Sequence, residues 1–333
     1  MPRPIHYRLA SRLAAAVLLA TAAAFAHAKP VDVQPAADGQ GFTITDTRGR
    51  VHAFDAPVDR VAACSTFALE TLMAIDAPPV ARFHVPPVYP AEAEAIPVVA
   101  RSHGTGPDVE QLVAANADVI LLHDVFHAFA DDVQAATRTL VVLHRVDSID
   151  DIRQHAAMIG TLVGREDAAA DMVADIDATL GWVDSVPAPD HAPRAVSLFG
   201  TNDAWFAHRR NAFMGDLLDR LGAVNVAAER EAHSTYRSLA PVDVEQLIQL
   251  DPEVVFIVPY GGADESVVEN LINHPAFGAL SAVRNGRVHV LDGPIYFSHV
   301  GPRVGEAVRT LHAHLYPDAD APASASAADA ARP

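Results

Sequence analysis

The sequence predicts an α/β protein of two similar lobes with mostly parallel sheets, joined by a long helix, with a ligand cleft between the lobes. Three observations carry that expectation. Short apolar runs alternate with helical patterns on both sides of the chain's middle, as parallel sheets require. The stretch from Ser148 to Val186 holds no strand-like run and is rich in Ala, Asp and Met at helical spacing. Finally, DVEQLVAANADVILL, beginning at Asp108, returns as DVEQLIQLDPEVVFI, beginning at Asp243. Each copy reads as a helix running into a buried strand, so the two occupy equivalent places in two α/β units, and the crevice between such units is where ligands bind.

The elements follow in order. FTITDTRGRVHAF, Phe42 to Phe54, alternates on either side of a turn at Gly49 and reads as a β-hairpin. Val61 to Ala63 is a buried strand, and Ser65 or Thr66 caps the helix after it, with Leu69, Leu72, Met73 and Ile75 on its buried side. Val80 to Phe83 and Pro97 to Ala100 are short strands. Asp108 to Ala115 is a helix, and Asp118 to Leu122 and Thr139 to Leu143 are strands. A short helix ending near Gly164 and a long one from about Asp167 to Trp182 form the connector, closed by Pro187, Pro189 and Pro193. The pattern then restarts: strand Ala195 to Phe199, helix Phe213 to Leu221 stopped by Gly222, helix Asp243 to Leu250 and strand Glu253 to Val258. Strand Arg287 to Leu291 follows the Asn285-Gly286 turn, and helix Pro302 to His314 closes the fold. The expected division is a leader 1–28, an N-terminal lobe 29–146, connecting helices 147–187, a C-terminal lobe 188–316 and a disordered tail 317–333.

The leader is read from Arg3, Arg8 and Arg12, the apolar run Leu13 to Ala26, and the small-residue exit Ala26-His27-Ala28, which together resemble a secretory signal peptide rather than a membrane span. No cysteine stands at that exit, so no lipoprotein anchor is expected, and the lone Cys64 allows no internal disulfide. The expected location is therefore a bacterial periplasm. Acidic residues number 42 against 24 basic ones, a net charge of −18. That balance argues against nucleic acid and suits a cationic partner. No G-x-S-x-G, H-E-x-x-H, P-loop or G-x-G-x-x-G occurs, so no enzyme and no intrinsic cofactor are expected.

Ligands of open α/β sheets sit beyond the carboxyl ends of the strands, and histidine recurs there. His84, His103, His123 and His144 follow strands of the first half. In the second half, Trp205, His208, Arg209 and Arg210 come soon after a strand. His233 and Tyr236 precede the second DVEQL, and Tyr260, Tyr296 and His299 follow later strands. Imidazole suits iron, zinc, nickel and copper, and tyrosinate suits ferric iron and haem. Singly, each histidine reads as an ordinary polar residue at a wet rim.

A series of segments in order then carries a resemblance: FTITDTRGRVHAF, DRVAACSTFALETLMAIDA, VYPAEAEAIPVVARSHGTGPDVEQLVAANADVILL, FMGDLLDRLGAVNVA, LAPVDVEQLIQLDPEVVFIV and HPAFGALSAVRNGRVHVLD. From Phe42 to Leu315 the chain resembles the periplasmic substrate-binding proteins of ABC importers for iron-siderophores, haem and cobalamin, closest in places to the ferric-catecholate branch. The resemblance implies a carrier whose lobes close little, an iron complex as ligand, and an ABC permease and ATPase as partners. His233 and Tyr296 fall where that branch completes an iron's coordination, while the arginines it uses to neutralise the chelate are replaced by Val125 and Tyr260, leaving Arg209 and Arg210 as partial substitutes. Tyr89-Pro90 and Gly301-Pro302-Arg303 match haem-binding members, where Arg303 could meet a propionate. His103 and His123 fall where metal-ion carriers place ligands. Glu92, Glu94, Glu265 and Glu269 are the candidates for docking to the permease. Haem, cobalamin or a bare transition metal stays open as ligand. An exported metallohydrolase, or a scavenger without a transporter, stays open as function.

Overall fold

The computed structural model describes residues 31–37, 39–84, 90–100, 106–186, 191–200, 204–234, 236–259, 265–297 and 301–317. Three short antiparallel strands begin it: β1 (Asp32–Pro35), β2 (Phe42–Thr45) and β3 (Val51–Phe54). The hairpin expected at β2 and β3 is present, and β1 adds an edge that the sequence pattern did not announce. Its turn is organised by Asp46, whose buried carboxylate accepts from the Arg48 and Arg50 amides, the Arg48 side chain and His52. Burial alone would raise that carboxyl, but the bonds from His52, Arg48 and Arg50 outweigh it and hold it well below the usual range.

The next sheet is wholly parallel, with order β6-β5-β4-β7-β8. It comprises β4 (Val61–Cys64), β5 (Ala81–Phe83), β6 (Val98–Ala100), β7 (Val119–His123) and β8 (Leu140–His144). Helices α1 (Thr66–Ala74), α2 (Val109–Ala115) and α3 (Ala130–Thr137) accompany it. Every residue of β4 is buried, which is why VAAC reads as a small apolar run without alternation.

The connector consists of α4 (Ile149–Val163) and α5 (Glu166–Ser185). Ser148 caps α4 by accepting from the Asp151 amide, and Gly164 ends it in the left-handed region at φ +64°. At 20 residues, α5 is about 30 Å long at 1.5 Å per residue. The two helices meet so closely at Gly160 that an added Cβ would lie 2.5 Å from the Ala169 side chain.

The second large sheet is mixed. Its core is parallel: β9 (Arg194–Gly200) beside β13 (Val254–Val258), then β14 (Val288–Val290). On the other edge of β9, β10 (Trp205–His208) pairs antiparallel and carries β12 (Leu239–Val242), while two-residue β11 (Val224–Asn225) pairs with the start of β9. Helices α6 (Phe213–Arg220), α7 (Val244–Leu250), α8 (Glu265–Ile272), α9 (Ser281–Arg284), α10 (Gly293–Phe297) and α11 (Val304–Leu315) complete the chain.

The repeated segment is a structural repeat. Asp108 and Asp243 are the N-caps of α2 and α7, accepting from the Gln111 amide at 3.1 Å and the Gln246 amide at 2.7 Å. Both helices end on a left-handed residue, Asn116 and Asp251, before entering a central strand. The equivalence extends to residues the repeat does not contain. Arg60, before β4, donates to the Ala115 and Asn116 carbonyls at the end of α2. Arg194, opening β9, donates to the Leu250 carbonyl at the end of α7. The amides of the same two arginines bond to the Asp118 and Glu253 carboxylates.

One apolar core runs through both halves. It joins Phe67, Leu69 and Leu121 to Ile152, Ile159 and Ile176 of the connector, and these to Leu217, Phe256, Val308 and Leu311. Two further cores lie apart from it, around Leu112, Leu122 and Phe126, and around Leu198, Leu247 and Phe277. Inside the shared core, Glu70 of α1 accepts two bonds from Arg303, the cap residue of α11, at 2.6 and 3.1 Å. Their side chains are 1% and 8% exposed. Gly301 lies against the same helix, where a Cβ would fall 2.6 Å from the Thr71 hydroxyl. Burial pushes the Glu70 carboxyl up, and Arg303 opposes that without cancelling it. Arg303→Met should therefore cost about 3–5 kcal/mol of unfolding free energy by stranding a buried carboxylate, while Glu70→Leu with Arg303→Met should recover most of it. Denaturant melts of both variants check this; a single variant as stable as the parent would show that the pair does not bind the halves.

Candidate functional site

All strands of the first sheet run the same way, so their carboxyl ends share one edge. His123 and His144 are the last residues of β7 and β8, lie in register, and have ring centroids 6.2 Å apart. The Oγ of Ser65, which caps α1, is 3.0 Å from His144 Nε2. A third imidazole, His155 of α4, is 5.7 Å from His144 and edge-on to Phe67 at 5.9 Å. Its Nδ1–H donates to the Asp151 carbonyl at 2.7 Å, and burial lowers its pKa. His84, half-buried just past β5, is held by its amide on the Ala100 carbonyl at 2.7 Å. Cys64 ends β4 fully buried, and that burial pushes its thiol up to about 12.

In the second sheet an aromatic row leaves the carboxyl end of β9. Phe199 faces Phe206 across β9 and β10, with centroids at 6.1 Å. Phe206 meets His233 edge-on at 5.5 Å, and His233 lies nearly parallel to Tyr236 at 5.4 Å. Exposure rises along the row, from 8% at Phe199 to 54% at Tyr236. Trp205 covers the backbone of Gly200, where a Cβ would sit 2.6 Å from the indole.

Tautomers limit what these rings can do. Nδ1 of His233 accepts from the Tyr236 amide at 3.2 Å, and Nδ1 of His123 from the Val125 amide at 3.1 Å. With Nδ1 accepting, a neutral ring carries its proton on Nε2. In both rings, therefore, coordination of a metal through Nε2 requires that proton to leave.

Several expected ligand residues are engaged elsewhere. Tyr296 is 3% exposed in the shared core, and its hydroxyl donates to the Ala307 carbonyl at 3.3 Å. Burial raises its pKa, so it is neither at the surface nor ready to become a tyrosinate. Arg303 serves Glu70 rather than a propionate. His208 is 6% exposed, with Nδ1 3.0 Å from the Ser197 hydroxyl. Arg209 donates to the Arg230 and Arg237 carbonyls, tying down the loop that bears His233. Arg210 pairs on the surface with Asp219 and Glu229. Of the docking candidates, Glu92 and Glu94 lie exposed on the 3-10 turn Ala91–Ala95, and Glu269 lies exposed on α8. Tyr89, His103, Tyr260, His299 and the Glu265 side chain lie outside the described residues, as do the leader and the tail beyond Pro317.

Phe199, Phe206 and His155 were not anticipated. Phe206 is hidden in a four-residue strand, and His155 falls in a stretch read only as connector. Among the described residues, no three of His, Cys, Asp and Glu are grouped so as to hold a metal ion. A surface depression of about 550 Å³ lined by Arg50, Asp131, Arg138 and Leu140 lies by the amino end of β8, away from the carboxyl ends of the strands.

No helix among the described residues is long and apolar enough to cross a membrane. No curated protein matches the sequence. Solved structures share the fold. FeuA of Bacillus subtilis, a triscatecholate siderophore-binding protein complexed with ferri-bacillibactin, aligns with TM-score 0.68 and 15% identity over 80% of this chain and 96% of that one. IsdE of S. aureus, complexed with haem, gives 0.67 and 16% over 77% and 98%. The vitamin B12-binding protein BtuF of Vibrio cholerae gives 0.63 and 19% over 78% and 98%. Residues 61–294 match the family described as periplasmic binding protein, and that span takes in both sheets and the helical connector, so the chain belongs to that family.

Proposed function

We propose that the protein is a periplasmic carrier that binds an iron complex of the siderophore type between its two halves and hands it to an ABC importer. The observation that carries this reading is the aromatic row Phe199–Phe206–His233–Tyr236 at the carboxyl end of β9. Ring faces that become progressively exposed, with a polar imidazole among them, suit a ligand with flat aromatic donor groups and acceptor oxygens. With Tyr296 in the core, the chelate brings its own oxygen donors to the iron. His233 then serves as a hydrogen-bond donor to those oxygens. His123, at the strand ends of the other sheet, offers the same tautomer to the opposite side of the ligand. The solved neighbours whose names record siderophore, haem and vitamin B12 binding support this general class of ligand.

Visible absorption and tryptophan fluorescence of the protein titrated with a ferric catecholate test the reading. Saturable quenching with a ferric charge-transfer band is expected. His233→Ala and Tyr236→Ala should each weaken binding about tenfold, the size of a lost stacking or hydrogen-bonding contact. Tyr296→Phe should leave affinity unchanged. Unaltered binding in both alanine variants would contradict the site, and a Soret band in the protein as purified would move the ligand to haem.

The exposed carboxylates at Glu92, Glu94 and Glu269 are proposed to orient the carrier on the permease, because rim charges mainly set encounter and register. Replacing all three by alanine should reduce uptake in cells while ferric-chelate affinity in vitro stays the same. Loss of affinity would place them at the ligand instead.

A further inference from the structure

The last turn of α11 is fastened to the second sheet by imidazoles. The His314 ring stacks on His289 of β14, with centroids 3.9 Å and planes 24° apart. Both rings rest against Phe256 of β13, at 5.8 and 6.2 Å. Arg287, just before β14, donates to the His314 and Leu315 carbonyls at 2.8 and 2.9 Å. Two residues before His314, His312 packs edge-on against Trp182 of α5 at 5.0 Å.

We propose that the His289–His314 stack is an acid-sensitive fastener: neutral rings hold the end of α11 on the sheet, and protonating either one releases the helix's last turn. Two neutral rings stack favourably. A charge on one of them would lie in a half-buried place, close to the other ring and to the Arg287 guanidinium. The elements packed there supply no compensation among the described residues. The strand β13 contributes apolar Phe256, β14 and the residue before it contribute His289 and cationic Arg287, and α11 contributes His314. The nearby carboxylate Glu253 is bonded to His191 and the Arg194 amide, and its field is felt at Arg287. Nε2 of His289 is shut off from solvent without a hydrogen-bond partner. A cation near a helix C-terminus is ordinarily welcome, but the carbonyls that would receive it already hold Arg287.

Burial first, then His314 and Arg287, lower the His289 pKa from 6.5 to about 4, and burial lowers that of His314. A folded-state value below the unfolded one means that the contribution is full above about 6.5 and disappears as pH falls toward 4. Because α11 begins at the Arg303–Glu70 pair, loosening its far end weakens the element that joins the two halves.

Histidine ring-proton NMR of the whole protein from pH 8 to 4, with amide exchange of residues 311–316 at pH 7 and 5, tests this. Two rings, assigned through His289→Phe and His314→Phe, should titrate well below 6.5. Exchange at 311–316, corrected for its intrinsic pH dependence, should rise about tenfold on acidification. The double variant His289→Phe, His314→Phe keeps two aromatic rings in the stack with neither able to protonate, and should abolish that rise, while either single variant should only reduce it. Ordinary titration of both histidines near 6.5 would overturn the proposal, as would an equal rise in the double variant. If the double variant does not fold, the single variants His289→Gln and His314→Gln assign the two rings, and the parent protein decides: those two rings titrating below 6.5 together with the acid-induced rise support the proposal, and the absence of either overturns it.

Discussion

The ion pair between Glu70 and Arg303 is the constraint on which the rest of the architecture depends. It sits where the first helix of one half meets the last helix of the other, in an apolar core that both halves share. Two separate cores joined by a flexible strap would permit large hinge motion. A continuous core threaded by a 20-residue helix does not, because packed interiors have discrete arrangements and resist gradual deformation. Gly301 and Thr71 add a close backbone approach at the same place, so the joint is fixed by shape as well as by charge.

That constraint also redistributes the polar residues. Arg303, Arg209 and His208 have the composition of ligand contacts but are engaged in holding loops and strands. Among the described residues, what is left at the strand ends is largely aromatic and imidazole-bearing: His123 and His144 on one sheet, Phe206, His233 and Tyr236 on the other. Under the proposed function, such a surface would meet a ligand through ring faces and neutral donors.

Much of the fold was legible because its signals are local. Ser65 caps its helix as its position implied, Asp108 and Asp243 stand at the helix starts where the sequence placed them, and the repeated DVEQL marks two equivalent helix-to-strand units. What escaped was either too short or too distant in sequence to signal itself. The strand β12 carries Pro241, which suits an edge strand and disguises it, and β10 is four residues long. The partner of Arg303 lies 233 residues away, so nothing around the Gly-Pro-Arg run announces it. Tyr296 follows the last strand in sequence, but that segment is the short helix α10, which turns Ile295 and Tyr296 into the core. Position after a strand shows where a residue is, and not which way its side chain points. The same limit applied at the site: the order of histidines along the chain was visible, while their tautomers depend on backbone amides brought close by the folded turns.

Small-angle scattering of the protein alone and saturated with a ferric chelate tests the central claim, that two halves built on one core act as a nearly rigid clamp. The account predicts the same radius of gyration in both states. A contraction on the order of 1 Å or more for a molecule of this size would mean that the halves move as separate bodies, and would contradict it.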